Sequence, residues 1–501
     1  MKSTSLFWLA LAAAAHAASA PFAFEGPTVT NVAGRGGWIE TAMTDIVVRA
    51  GSALDLSGLP GCAPAGAKGW AKPWADGSLR FEGAPGEKVR LYGCVEGFLE
   101  FKRMFDDCTS REDRHARIDE FVAQTRRMGF NFIRPHGMLD PGYDIARFHR
   151  RARPNPEEVD IIDYLLHACR KAGIYVYIDI GAYGLRDPKM RNQIWQKAGV
   201  MVKEPTYWAL WESCCREILG HVNPYTGIAW KDDPAVMGLM QYNEQATGAK
   251  IAMQNAWKGL DPAVKAAYAD GFRAWLAQNA PDAAQNGIAA TAEKLPGFYG
   301  KDPLGKLLHM YLSELFTSRA LDYDAVARST GYGGLLTAYN SDVDFGACAA
   351  RWRASEAVPY NFHAGHPHGG GSGYAGAVVS QRSTIEAMTA GSGFCYGNRI
   401  RLADRPYIVT ENSHAFWNRL RHESALMLPA YGSLNGYSGI LWHAGGGNTK
   451  AEGNWPRGCI TVFGISTSPI TRATAFLGAL LFRRGDVSEA RRSVNVAVPE
   501  A

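Results

Sequence analysis

Residues Asp232–Gln245 read DDPAVMGLMQYNEQ. Val236–Met240 is a short apolar run of the length that marks a buried strand. It climbs straight into Asn243-Glu244, so a buried strand ends by delivering an amide and a carboxyl side by side. One carboxylate at a strand end proves nothing. The fold depends on whether such runs recur along the chain, and the chemistry on whether another of them ends on an acid.

They recur. Strand-like segments fall at Lys88–Val95, Asn131–Arg134, Ile174–Ile180, Val236–Tyr242, Gly334–Tyr339, Ala357–Phe362, Tyr407–Thr410 and Gly439–Trp442. Amphipathic helical patterns at Arg114–Met128, Val159–Ala172 and Trp208–Val222 separate the early ones, and Ile470–Phe482 closes the series. Gly129 and Gly173 stop the first two helices. Alternation of strand and helix implies parallel strands joined by right-handed crossovers. Eight such units predict an α/β fold, a closed (β/α)8 TIM barrel. A doubly wound open sheet is the alternative, but no Gly-rich phosphate turn follows the first strand. The run Gly369–Gly373 lacks the following Lys-Ser/Thr of a P-loop and is expected to be a loop.

The chain of 501 residues is 47% hydrophobic, enough for one large core. Its net charge of +5 is spread along the sequence, and no nucleic-acid signature is present. Residues 1–17 have a basic start, a short apolar stretch and a small-residue cleavage pattern, which predicts a signal peptide removed after Ala17. No later stretch is long and apolar enough for a membrane helix, so a secreted or periplasmic protein without a membrane anchor is expected. Residues 18–88 are rich in Gly, Pro and Ala with short β-type pieces and form an N-terminal β-rich segment; 89–501 form the barrel. The nine cysteines fit no zinc module. Cys94–Cys108 or Cys62–Cys94 could pair, while Cys214 and Cys215 are expected to be buried thiols. Oligomeric state is not legible.

In a barrel of this kind the site is built where strands end. The second strand ends in Arg134-Pro135-His136, the fourth in Asn243-Glu244, and the sixth runs into Asn361-Phe362-His363. The seventh ends in Glu411-Asn412 and the eighth in Trp442-His443. Two strands therefore bring glutamates to one rim. A protonated and an ionised carboxyl facing each other are what retaining glycoside hydrolysis needs. Arg134 would hold Glu411 ionised, Asn243 would bond a sugar 2-hydroxyl, and Trp442 would offer a flat face to a pyranose. His363, His366 and His368 are too loosely spaced, without an acidic partner, to predict a metal site.

These pieces carry a resemblance. The stretches Gly129–Arg134, His221–Gln245, Thr410–Glu423, Gly439–Trp442 and Leu481–Asp486 resemble clan A glycoside hydrolases, most of all the cellulase-like family five and its bacterial relatives. The resemblance implies a retaining β-glycoside hydrolase with Glu244 as acid/base and Glu411 as nucleophile. Arg134, His136, Asn243, Asn361, His363 and Trp442 would then be substrate-binding. It implies a carbohydrate substrate, endo-glucanase- or mannanase-like, with no metal or organic cofactor. Two departures stand out. The third strand ends in Asp179-Ile180-Gly181 where that family has a histidine, and Asn361 and His363 replace its His-x-Tyr. An exo-acting β-galactosidase or β-mannosidase, or a non-catalytic carbohydrate-binding protein on the same barrel, are the alternatives.

Overall fold

The computed structural model describes residues 47–61, 64–97, 104–136, 156–180, 193–244, 259–285, 303–338, 340, 356–364, 383, 385, 398–414, 418, 420–446, 464–465 and 468–497. The chain divides into two units, Met1–Asp45 and Ile46–Ala501. The first, with the expected signal peptide, lies outside the described residues.

The second unit contains a parallel sheet of eight strands: β3 (Leu91–Gly97), β4 (Phe132–His136), β5 (Tyr175–Asp179), β6 (Val236–Met240), β7 (Leu335–Thr337), β8 (Val358–Ala364), β9 (Tyr407–His414) and β10 (Gly439–His443). Their order is β7-β6-β5-β4-β3-β10-β9-β8. The last strand pairs with the first, Gly439 beside Leu91, as a rolled sheet requires. At the remaining seam, Glu356 N donates to Leu336 O at 3.0 Å and Leu336 N donates to the Glu356 carboxylate at 2.9 Å. The eight expected strands are all present, in the cyclic order of a (β/α)8 barrel.

Helices α1 (Arg111–Arg127), α2 (Pro156–Ala172), α3 (Gln193–Met201), α4 (Pro205–Gly220), α5 (Pro262–Asn279), α6 (Pro281–Gln285), α7 (Pro303–Ser329), α8 (Ser424–Leu434) and α9 (Pro469–Arg483) accompany the strands. Their ends follow from local chemistry. Ser110 and Asp113 form a reciprocal capping box at α1, and Asp261 and Ser468 cap α5 and α9 just before a proline. Gly129 and Gly173 take positive φ values of 78° and 73°, releasing α1 and α2 toward β4 and β5. No helix of the described residues is long and apolar enough to cross a membrane.

Period-two alternation splits the apolar side chains into two cores. Leu91, Val95, Phe132, Tyr175, Tyr177, Ile408 and Leu441 fill the barrel interior. Tyr92, Ile133, Val176, Leu239, Val409, Ile440 and Trp442 face the helices. A small antiparallel hairpin, β1 (Ala71–Pro73) and β2 (Leu79–Phe81), adds Ala71, Leu79 and Phe81 to the interior core. Phe81 stacks on Tyr175 with ring centroids 4.9 Å apart. Tyr175 opens β5, so the hairpin closes the N-terminal end of the barrel and leaves the other end for the site.

Cys94 is a thiol whose Sγ donates to Glu96 Oε1 at 2.9 Å, so neither disulfide suggested for it forms. Cys94 points outward from β3 into the helix-facing core. Cys214 and Cys215 are buried thiols on α4, as expected.

Candidate active site

Arg134 is the centre of the barrel mouth. Phe132 belongs to the interior core, so two residues on along β4 Arg134 also points inward, and it is wholly buried. A guanidinium presents its donors in a fixed fork, and here they serve three other chain segments. Nε donates to Asp179 Oδ1 and Oδ2 at 3.0 and 3.1 Å. Nη1 donates to Glu411 Oε1 at 2.7 Å and to Thr410 O at 3.3 Å. Nη2 donates to Asn243 Oδ1 at 2.8 Å. Burial opposes the Arg134 charge, but the Asp179 and then the Glu411 carboxylates outweigh it and hold the guanidinium protonated well above the ordinary arginine range.

Asp179 ends β5, in phase with the inward Tyr175 and Tyr177. Besides Arg134 it bonds His136, whose Nδ1 lies 2.6 Å from Asp179 Oδ2. A carboxylate oxygen only accepts, so Nδ1 carries the proton in this contact. Below them Tyr177 lies under the guanidinium, 5.9 Å from ring centroid to Cζ, and bonds Thr337. Gly238 on β6 makes room for that ring, since a Cβ there would sit 2.5 Å from Tyr177 Cδ2.

Glu411 reaches the interior through an irregularity. Ile408 points inward, so strict alternation would turn Thr410 inward and Glu411 out. Val409 pairs with Tyr360 and Ile440, but the next pairs are Glu411 with Asn361 and Asn412 with Trp442. Thr410 is therefore one residue too many on β9, a bulge that re-aims Glu411 into the mouth. Glu411 is 4% exposed.

Asn340 joins the two glutamate-bearing segments. Its Nδ2 donates to Glu411 Oε1 at 3.2 Å, and its Oδ1 accepts the Glu244 backbone N–H at 2.9 Å. Glu244 is half-buried and has φ of 48°, a left-handed conformation that non-glycine residues seldom adopt. Such backbone persists only where its surroundings hold it.

The structure thus gathers Arg134, His136, Asn243 and Glu411, and ties Glu244 to them through its backbone. Asn361 and His363 lie on β8, in register with Glu411 and Ser413, and their side chains lie outside the described ones. Trp442 is a correction. It is 1% exposed, in the helix-facing core, with its indole Nε1 donating to Tyr92 OH at 2.7 Å. Its neighbour Leu441 takes the inward phase of β10, so Trp442 cannot face the mouth.

Asp179 and Asn340 were not among the expected site residues. Asp179 stands out in the sequence only as an acid ending an apolar strand, the same signal that marks Glu411; Asn340 follows Gly334–Tyr339 in the same manner. Among the described residues no group of three His, Cys, Asp or Glu side chains is placed to hold a metal ion.

The sequence matches no protein-family model and no curated protein. Among solved structures, it is similar to the endo-β-1,4-mannanase from Thermotoga petrophila, with 12% identity, a TM-score of 0.49, and coverage of 81% of this chain and 79% of that one. A glycoside hydrolase family 5 mannosidase from Rhizomucor miehei gives 11% identity, a TM-score of 0.49, and coverage of 82% and 98%. The β-galactosidase from Rahnella sp. R3 gives 13%, 0.47, and coverage of 84% of this chain and 59% of that one. At that distance the likeness carries no functional argument.

Proposed function

We propose that this protein is a retaining β-glycoside hydrolase that cleaves a β-linked polysaccharide or oligosaccharide, endo-glucanase- or mannanase-like. The observation that carries the proposal is the chain Arg134–Glu411–Asn340–Glu244. One acid is buried and ion-paired; the other belongs to a half-buried residue held by the same amide. Retaining hydrolysis needs that asymmetry, because one carboxyl attacks while the other gives a proton.

Glu411 is the nucleophile. It attacks the anomeric carbon as the glycosidic C–O bond breaks, and the departing oxygen takes its proton from Glu244. A water then gives its proton to Glu244 and its oxygen to the anomeric carbon, releasing Glu411. Asn243 has its Oδ1 engaged by Arg134, so its amide NH2 is the donor it offers to the sugar 2-hydroxyl. His136 extends the polar rim beside Asp179. Asn361 and His363 are assigned to substrate contact from their place on β8.

Asp179 has a role in this scheme that a simple salt bridge would not need. When Glu411 becomes an ester its charge disappears, and Arg134 would be left as a wholly buried cation. Leaving one partner of a buried pair uncompensated costs about 3–5 kcal/mol. Asp179 keeps the guanidinium paired through the covalent intermediate. The signal-like residues 1–17 support export, which suits a polymeric substrate.

The test is reducing-sugar release from β-glucans, β-mannans, xylan and agar-type galactans, with E411A beside the wild type. Release abolished by the substitution, with the product's anomeric configuration retained by NMR, is the expected result. Binding to one polymer without turnover of any, aryl glycosides included, would instead make the protein a carbohydrate-binding module.

A further inference from the structure

We propose that Asn340 is a positioning residue for this reaction, resting on the glycosidase reading: its one amide fixes which Glu411 oxygen attacks and holds Glu244 in its left-handed conformation. The amide cannot be turned over. Glu244 N–H only donates, and an ionised Glu411 oxygen only accepts. A flipped Asn340 would set oxygen against oxygen and N–H against N–H.

The consequence falls on Glu411. Oε1 receives two donors, Arg134 Nη1 at 2.7 Å and Asn340 Nδ2 at 3.2 Å. If Oε1 attacked, both bonds would weaken as that oxygen became the ester link. If Oε2 attacks, Oε1 becomes the ester carbonyl and keeps both donors. Oε2 therefore forms the bond to the anomeric carbon, while the breaking glycosidic bond leaves its electron pair on the departing oxygen with the Glu244 proton.

Position strengthens the case. Asn340 lies three residues past β7, the strand at the seam of the sheet, and is wholly buried. It reaches across that seam to β9, past β8. One side chain thus ties the backbone of Glu244 to the carboxylate of Glu411 across the seam between β7 and β8.

The experiment uses the full chain in three forms: wild type, N340A and N340D. Asp keeps an acceptor for Glu244 N–H but sets a carboxylate oxygen against Glu411. Like charge disfavours ionisation, so the acidic limb of kcat/KM in N340D should move up by about one pH unit or more. N340A should lose about 10²-fold in kcat, with KM within about threefold. A crystal structure of the wild type trapped with a 2-deoxy-2-fluoroglycoside should show the sugar on the Glu411 oxygen turned away from Asn340.

A sugar on the oxygen facing Asn340, or an N340D profile that superimposes on the wild type, overturns the assignment. If N340A does not fold, the isosteric N340D and the trapped wild type decide. If the folded wild type hydrolyses nothing on the panel, the glycosidase reading fails separately. Crystal structures of N340A and N340D then decide the positioning: Glu411 and Glu244 displaced supports it, and both unmoved overturns it.

Discussion

Arg134 and Asp179 meet edge to edge at the floor of the barrel mouth. Nε bonds both Asp179 oxygens, and Nη2 lies 2.9 Å from Oδ1. Both residues are almost wholly removed from solvent. The pair sits beside a second ion pair, Arg134 to Glu411. One cation therefore serves two buried acids, and most of what the site does depends on how that charge is shared.

Arg134→Lys should be severely damaging. An ammonium is a single point charge and cannot reach Asp179, Glu411 and Asn243 in one plane. We expect kcat/KM to fall by about 10³ or more. Urea unfolding should show a loss of about 3–5 kcal/mol from acids left without their full counter-charge. A variant within threefold of wild type in activity would contradict the shared-fork geometry.

Asp179→Asn should act oppositely to N340D on the pH profile. Removing the competing carboxylate leaves all of the Arg134 charge to Glu411, so the acidic limb should move down. The glycosylation step should slow, because the covalent intermediate would then strand a buried guanidinium. Pre-steady-state kinetics with an aryl glycoside carrying a good leaving group would separate that step from deglycosylation.

Trp442→Phe tests the correction made by the fold. Loss of the indole bond to Tyr92 in a buried wall should cost about 1 kcal/mol or more in stability. KM should change by less than about twofold. A tenfold rise in KM without a stability loss would return Trp442 to the substrate.

Stability should depend on pH through Asp324 on α7. Burial, then Glu356, push its carboxyl up to about 8, against the opposing effects of Arg328 and a hydrogen bond from Gln241. The folded state thus holds a proton that the unfolded state has released, between the ordinary carboxylate range and about 8. Its contribution to stability is present in full at low pH and is lost as pH rises through that window. Asp324→Asn cannot ionise, so calorimetry should show it gaining on the wild type from pH 5 to pH 9. Parallel Tm curves would refute the assignment.

The sequence by itself determined the eight strands and their order, and it marked Arg134, His136, Asn243, Glu244 and Glu411 at strand ends as candidates. Apolar runs, helix stops at Gly129 and Gly173, and acids after Met240 and Thr410 are local signals, and local signals survive without a fold. Tertiary structure decided the rest. The bulge at Thr410 exists only against its neighbours β8 and β10, and without it Glu411 would face the helices. Its place at the end of a strand points Trp442 to the mouth; the inward phase of Leu441 turns it to the helices. Asp179 became a site residue because β5 pairs beside β4, 45 residues away in sequence, and Asn340 because closure of the sheet brought it to Glu411, 71 residues away. Strand periodicity tells which positions can share a face; closure of the sheet tells which of them meet.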